Sequence, residues 1–190
     1  MVETPMNRRK TLAPLLTAAA LPGCAALTVR RDDESFSARD YRLATDDRVR
    51  LIVFGQDSLS NIYMVDGSGA ITVPLIGAVT VEGLTTTQAA ERVADRLGSG
   101  FIREPRVTVE IDTYRPFYIM GEVTRGGQYD YVAGMSVENA IAIAGGFTPR
   151  AVRSSVTVSR KIGDETDRFN APIDYTLRPG DTVIVRERWF

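Results

Sequence analysis

Residues 117–146 read FYIMGEVTRGGQYDYVAGMSVENAIAIAGG. Phe117 to Met120 has the aromatic and apolar make-up of a strand. Gly121 to Gly127 reads as a turn, and Tyr129 to Val132 as its hairpin partner. Ser136 can cap a short helix in which Val137, Ala140, Ile141 and Ala144 form one apolar stripe. Gly145-Gly146 ends that helix, because glycine takes the left-handed geometry of a C-cap without steric cost.

Downstream, Val156-Thr-Val158 and Thr182-Val-Ile-Val185 read as two more strands. Pro179-Gly180-Asp181 sits before the second of these. Gly180 suits the position of a type II turn that needs a positive φ. Two strands, a helix and further strands over residues 114–188 is the order of a β-grasp domain.

Upstream, a separate unit spans 41–112. Arg48 to Phe54 alternates, placing Val49, Leu51 and Val53 on one face. Ile62–Val65 and Ala70–Val73 flank Asp66-Gly67-Ser68-Gly69, which predicts a hairpin between them. Thr85 and Gln88 fit a capping box, followed by Ala89, Val93 and Leu97 at helical spacing and a stop at Gly98 and Gly100. Arg106 to Asp112 alternates again, with Val107, Val109 and Ile111 inward. The expected class is α+β. Asp46-Asp47 before the first strand echoes Gly180-Asp181 before the last, with Asp46 able to enter left-handed geometry at some cost.

Composition removes much of the enzyme repertoire. The chain has 190 residues, 23 Lys+Arg, 24 Asp+Glu, one Cys and no His. Without His there is no Ser-His-Asp or Cys-His nucleophilic site and no His-containing metal site. A single Cys excludes intramolecular disulfides and thiolate clusters. A net charge of −1 gives no electrostatic footprint for nucleic acid. No cofactor and no metal are expected. Asp32/Asp33, Asp46/Asp47 and Asp57 are candidates for acid–base work on a sugar, which needs carboxyls about 5–9.5 Å apart. They lie in a tether or in turns, where Asp serves as a solvated turn former, so no catalytic residue is assigned. Asp66-Gly-Ser-Gly lacks the later acidic ligands of a calcium loop.

The first residues read as an address. Arg8-Arg9-Lys10 precedes the apolar stretch Thr11–Leu21, which is short for a membrane span and suited to a secretory signal over residues 1–23. The arginine pair also hints at twin-arginine export, but the following positions favour general secretion. The only Cys falls at position 24, directly after Leu21-Pro22-Gly23. It is either a lipid attachment point or an incidental buried thiol beside an ordinary cleavage site. Residues 24–40 are small, charged and aperiodic, as in a tether. Cleavage would take three basic residues and one acidic one, moving the net charge from −1 to −3.

With these elements placed, the chain resembles the bacterial outer-membrane polysaccharide export lipoproteins. Residues 41–111 resemble their polysaccharide-export domain through Val49–Ser60, Val65–Gly77, Gly83-Leu-Thr and Pro105–Val109. Residues 116–188 resemble the SLBB (soluble ligand binding β-grasp) module. The segments that carry this likeness are Met120–Val123, Gly127–Tyr129, Ala140–Thr148 and Pro179–Val185. Asp46 stands where the family has Gly, and Gly126 where it has Pro. The sequence ends at Trp189-Phe190, so the likeness is to the short form, without the amphipathic pore helix.

The resemblance implies a non-enzymatic lipoprotein at the periplasmic face of the outer membrane, acylated at Cys24. It would form a homo-oligomeric ring that passes a polysaccharide. The implied partners are an inner-membrane copolymerase or chain-length regulator and an outer-membrane β-barrel. Arg125, Arg150, Arg153, Tyr129 and Tyr131 are candidate contacts with the polymer or a neighbouring subunit. Asp66, Gly67, Gly121, Gly127, Gly145, Gly146, Gly180 and Asp181 are expected as turn formers. The rival is a periplasmic lipoprotein that holds a small saccharide-like ligand in its β-grasp domain without transport.

Overall fold

The computed structural model describes residues 41–163 and 165–189. The expectations placed on residues 1–40, Cys24 among them, lie outside those residues. Two hydrophobic cores form, one from residues 41–111 and one from 117–185, and Tyr114 packs against both. The class is α+β.

In the first unit, β1 (Arg48–Val53) is flanked by β2 (Asn61–Met64) and β5 (Val107–Thr113) in an antiparallel sheet. Period-two alternation buries Val49, Leu51 and Val53 and exposes Arg48, Arg50 and Ile52. Helix α1 (Thr86–Gly98) starts at Thr85, whose hydroxyl accepts from the Gln88 amide while Gln88 Oε1 accepts from the Thr85 amide. Ala89, Val93 and Leu97 form its buried stripe. Burying the larger side chains of such a stripe contributes about 1.5–3 kcal/mol each.

The expected hairpin across residues 66–69 does not form. Asp66 builds a tight turn, its Oδ1 accepting from the Ser68 and Ala70 amides, and Gly69 enters the left-handed region. Gly67 does not. The chain then leaves the first sheet: β3 (Ala70–Val73) pairs with β4 (Gly77–Thr80), not with β2. Burial explains the exchange. Three of the four β3 residues are buried, whereas β2 is largely exposed, so the two strands cannot share one half-solvated ladder. The hairpin falls one turn later, over Pro74-Leu75-Ile76, with Leu75 at φ 73°.

In the second unit five strands run β7-β6-β10-β8-β9: β6 (Phe117–Gly121), β7 (Gly127–Tyr129), β8 (Ser155–Ile162), β9 (Glu165–Pro172) and β10 (Thr182–Val185). The β6–β10 pair is parallel and the other pairs antiparallel. Helix α2 (Val137–Ile143), capped by Ser136 and Asn139, contributes Val137, Ala140 and Ile141 to the same core as Phe117, Ile119, Val183 and Val185. Ala144 and left-handed Gly145 and Gly146 end it, as expected. Strand β9 was not anticipated.

The hairpin partner of β6 begins earlier than expected, with Phe117 opposite Tyr129 and Ile119 opposite Gly127. Gly127 is therefore a strand residue and not a turn former, and Tyr131 lies beyond the ladder. Gly121 is required where it stands: its φ is 90°, and a Cβ would lie 2.1 Å from the Val185 carbonyl oxygen.

Candidate functional site

The echo between the two Asp-bearing turns is structural. In the first, Asp47 N–H donates to the Ala44 carbonyl (3.1 Å) and Ala44 N–H donates back to Asp47 Oδ2 (2.8 Å). In the second, Asp181 N–H donates to the Arg178 carbonyl (3.2 Å) and Arg178 N–H to Asp181 Oδ2 (2.8 Å). Asp46 at φ 72° and Gly180 at φ 83° occupy the same left-handed position. One turn launches β1 and the other β10.

Neither carboxylate is solvated: Asp47 and Asp181 are both 0% exposed. This corrects the expectation that the Asp46/Asp47 pair stands in water; only Asp46 does. Each buried acid meets a different set of donors. Tyr41 Oη donates to Asp47 at 2.7 Å, and the Arg115 backbone amide donates to Oδ1 at 2.9 Å. The Arg115 guanidinium lies 3.8 Å from Oδ2. Burial raises the Asp47 carboxyl above its ordinary range, against the opposing pull of the Ala44, Tyr41 and Arg115 donors. The Tyr41 hydroxyl is pushed up as well, by burial first and then by the Asp47 charge.

Asp181 is gripped by Arg160 with two parallel bonds, Nε to Oδ1 at 2.8 Å and Nη2 to Oδ2 at 2.7 Å. Arg160 Nη1 also donates to Tyr175 Oη (3.2 Å), and its guanidinium lies over the Phe169 and Tyr175 rings. Burial works against the Arg160 charge. The bonds and charge of Asp181 outweigh it, so its pKa rises. Removing one partner of such a buried pair costs about 3–5 kcal/mol, because it strands the other charge.

Arg115 joins the two turns. Its amide and guanidinium engage Asp47 of the first, and its Nε donates to the Pro179 carbonyl of the second (3.1 Å). The side chain lies across Gly180, where a Cβ would come within 2.6 Å of Nε. Tyr114 beside it stacks edge-on against Tyr41 (5.0 Å) and Tyr131 (5.5 Å), so aromatic contact runs from one core to the other.

Over this clasp opens a cleft of about 720 Å³, lined from the first unit by Arg42, Thr45, Gly67, Glu82 and Gly83. The second unit contributes Arg115, Arg160, Lys161, Gly163 and the Pro179–Asp181 turn. Arg42 Nη1 donates to the Gly83 carbonyl (2.8 Å). Both Asp47 oxygens are already bonded, so the clasp offers no free base. Among the described residues no buried side-chain nitrogen or oxygen lacks a partner, and no cluster of acidic residues has metal-binding geometry.

None of the five sequence-predicted contact residues lines the cleft. Arg125 and Tyr129 meet at the β6–β7 turn. Arg125 Nη2 donates to the Ile143 carbonyl, Tyr129 Oη donates to the Arg125 carbonyl, and the Tyr129 ring stacks on Phe117. Arg150 is 62% exposed and pairs with Glu122 and Glu187, and Arg153 is exposed ahead of β8. Tyr131 is a core residue, 5% exposed, with its hydroxyl donating to the Leu177 carbonyl and its pKa pushed up to about 12 by burial. It is not placed to stack on a sugar ring.

Asp47, Gly180 and Asp181 were named as turn residues, but their partners Tyr41, Arg115 and Arg160 were missed. One signal was present: Arg160 continues the inward face of Val156 and Val158, and an inward arginine demands a buried acid.

Comparison with known proteins follows the same division. Residues 36–112 match the polysaccharide biosynthesis/export protein family, and residues 116–169 match the SLBB domain. The exopolysaccharide production protein ExoF of Rhizobium meliloti (strain 1021) is 31% identical over 121 residues, which cover 57% of this chain and 29% of ExoF. The polysialic acid transport protein KpsD of Escherichia coli is 27% identical over 161 residues, covering 78% of this chain and 28% of KpsD. The chain spans less than a third of the length of these curated relatives.

Proposed function

We propose, from the premise that the chain belongs to the polysaccharide biosynthesis/export proteins through residues 36–112 and carries an SLBB domain behind them, that it is a component of a polysaccharide export machine. The observation that carries this reading is the tandem itself. An export domain and a β-grasp module lie in that order, held together by a partly buried hydrogen-bonded junction. The likeness to ExoF and KpsD supports the same assignment.

In this reading residues 1–23 direct secretion, Cys24 carries the lipid, and residues 24–40 tether the fold to the periplasmic face of the outer membrane. Long acyl chains contribute about 0.8 kcal/mol per buried methylene, so more than one chain makes a stable anchor. Copies of the chain assemble into a ring around the polymer. An inner-membrane copolymerase delivers the polymer, and an outer-membrane β-barrel completes the exit. The protein's task is passage, not bond making: a polar surface hydrates the polymer and holds each sugar weakly, so that it slides.

The test is a chromosomal deletion with chemical analysis of secreted polysaccharide, alongside light scattering of the detergent-solubilised protein. Loss of secreted polymer, restored by the wild-type gene, together with a multimer in solution, is the expected result. Normal secretion from the deletion strain overturns the export reading. A strict monomer with a tight small saccharide ligand favours a binding protein without transport.

A further inference from the structure

The whole-chain charge is −1, yet among the described residues the cleft over the junction is lined by four cationic and two acidic side chains. Arg160 is neutralised by Asp181, and Arg115 is committed to Asp47 and Pro179. Among the described residues, what remains is Arg42 from the first unit and Lys161 from the β8–β9 hairpin of the second, with Glu82 as the opposing charge. The volume of about 720 Å³ lies within the range of about 300–1,000 Å³ usual for small-molecule sites. Gly67 and Gly163 bring peptide edges to its walls, whereas the Gly83 and Gly180 amides are already bonded to the Leu43 and Pro116 carbonyls. Among the described residues no aromatic ring lines it.

We propose that this cleft binds a carboxylate-bearing sugar residue of the exported polymer, with Arg42 and Lys161 gripping the carboxylate from the two units. The proposal rests on the export reading and names its substrate class. Charge supplies the selectivity, because a neutral sugar can accept hydrogen bonds from the two cations but offers no negative charge for them to attract. The absence of a stacking platform keeps the affinity per residue low, as a sliding chain requires. Exposed cations act through screened fields, so binding weakens as salt rises.

The probe is a uronic acid oligosaccharide, with a neutral glucan oligosaccharide of equal length as control. Each is titrated into the full chain while the amide resonances of Gly67, Gly83, Gly163 and Gly180 are followed. The uronate is expected to shift these amides with an affinity on the order of millimolar, and the neutral glucan to leave them in place. Arg42→Gln and Lys161→Gln should each weaken uronate binding about fivefold. Glu82→Gln should tighten it about threefold, a gain that damage to the fold would not produce.

Equal shifts by the neutral oligosaccharide, or unchanged affinity in all three variants, overturn the proposal. The two readings fail separately. A deletion strain that loses secretion, with no uronate effect on the cleft, removes the carboxylate site alone. Normal secretion with salt-sensitive uronate binding removes the export reading alone.

Discussion

Asp47 and Asp66 both close turns in the first unit, and their environments set them on opposite sides of ordinary carboxylate behaviour. Asp66 is open to water and accepts from Ser68 and Ala70, which lowers its pKa, the Ser68 hydroxyl bond contributing most. Its bonds stabilise the fold above the unfolded pKa and are lost as pH falls. Asp47 is raised by burial, so the folded state holds its proton more tightly than the unfolded chain does. Its contribution is greatest at low pH and declines as pH rises through the folded pKa. Denaturant melts of the wild type, Asp47→Asn and Asp66→Asn at pH 3 and pH 7 should separate the two. The advantage of wild type over Asp66→Asn grows toward pH 7, and that over Asp47→Asn grows toward pH 3. Equal pH trends would show that burial does not dominate at Asp47.

The two Asp turns share a hydrogen-bond plan and differ at the left-handed position, where one has Asp and the other Gly. A non-glycine residue there costs about 1 kcal/mol. Asp46 is exposed, so Asp46→Gly should stabilise the protein by about 0.5–1 kcal/mol. Gly180 has no such freedom, since a methyl group would meet Arg115. Gly180→Ala should therefore cost about 2 kcal/mol, read as a lower denaturant midpoint at constant slope. Local pattern was legible at this scale. The inward faces of β1, α1 and α2 followed from period and caps alone. The β2–β3 hairpin was misread because Asp-Gly-Ser-Gly announces a turn without saying which strand pairs afterwards. Strand β9 escaped because its sequence, Glu165–Pro172, is polar on one face and interrupted by charge.

In the whole molecule Arg115 and its neighbour Tyr114 are where the two units meet. Arg115 bonds Asp47, which precedes it by 68 positions, and Pro179, which follows it by 64. Arg115→Ala keeps the backbone amide bond to Asp47 but removes the Pro179 bond and the cation beside Asp47. With the side chain about a quarter exposed, the loss should be about 1–2 kcal/mol. The informative readout is cooperativity. Calorimetry should show one transition in the wild type and a broadened or split one in Arg115→Ala, as each core melts on its own. A single sharp transition merely shifted to lower temperature would mean that the tyrosine contacts alone couple the units.

Helices, caps, strand faces and the existence of two units were written in the sequence, because each depends on neighbours within a few positions. Which strand β3 would join, and which arginine would reach Asp47 or Asp181, was decided only when distant segments packed. A charged side chain carries no local mark of its partner. Burial makes that pairing obligatory, and burial is a property of the assembled molecule.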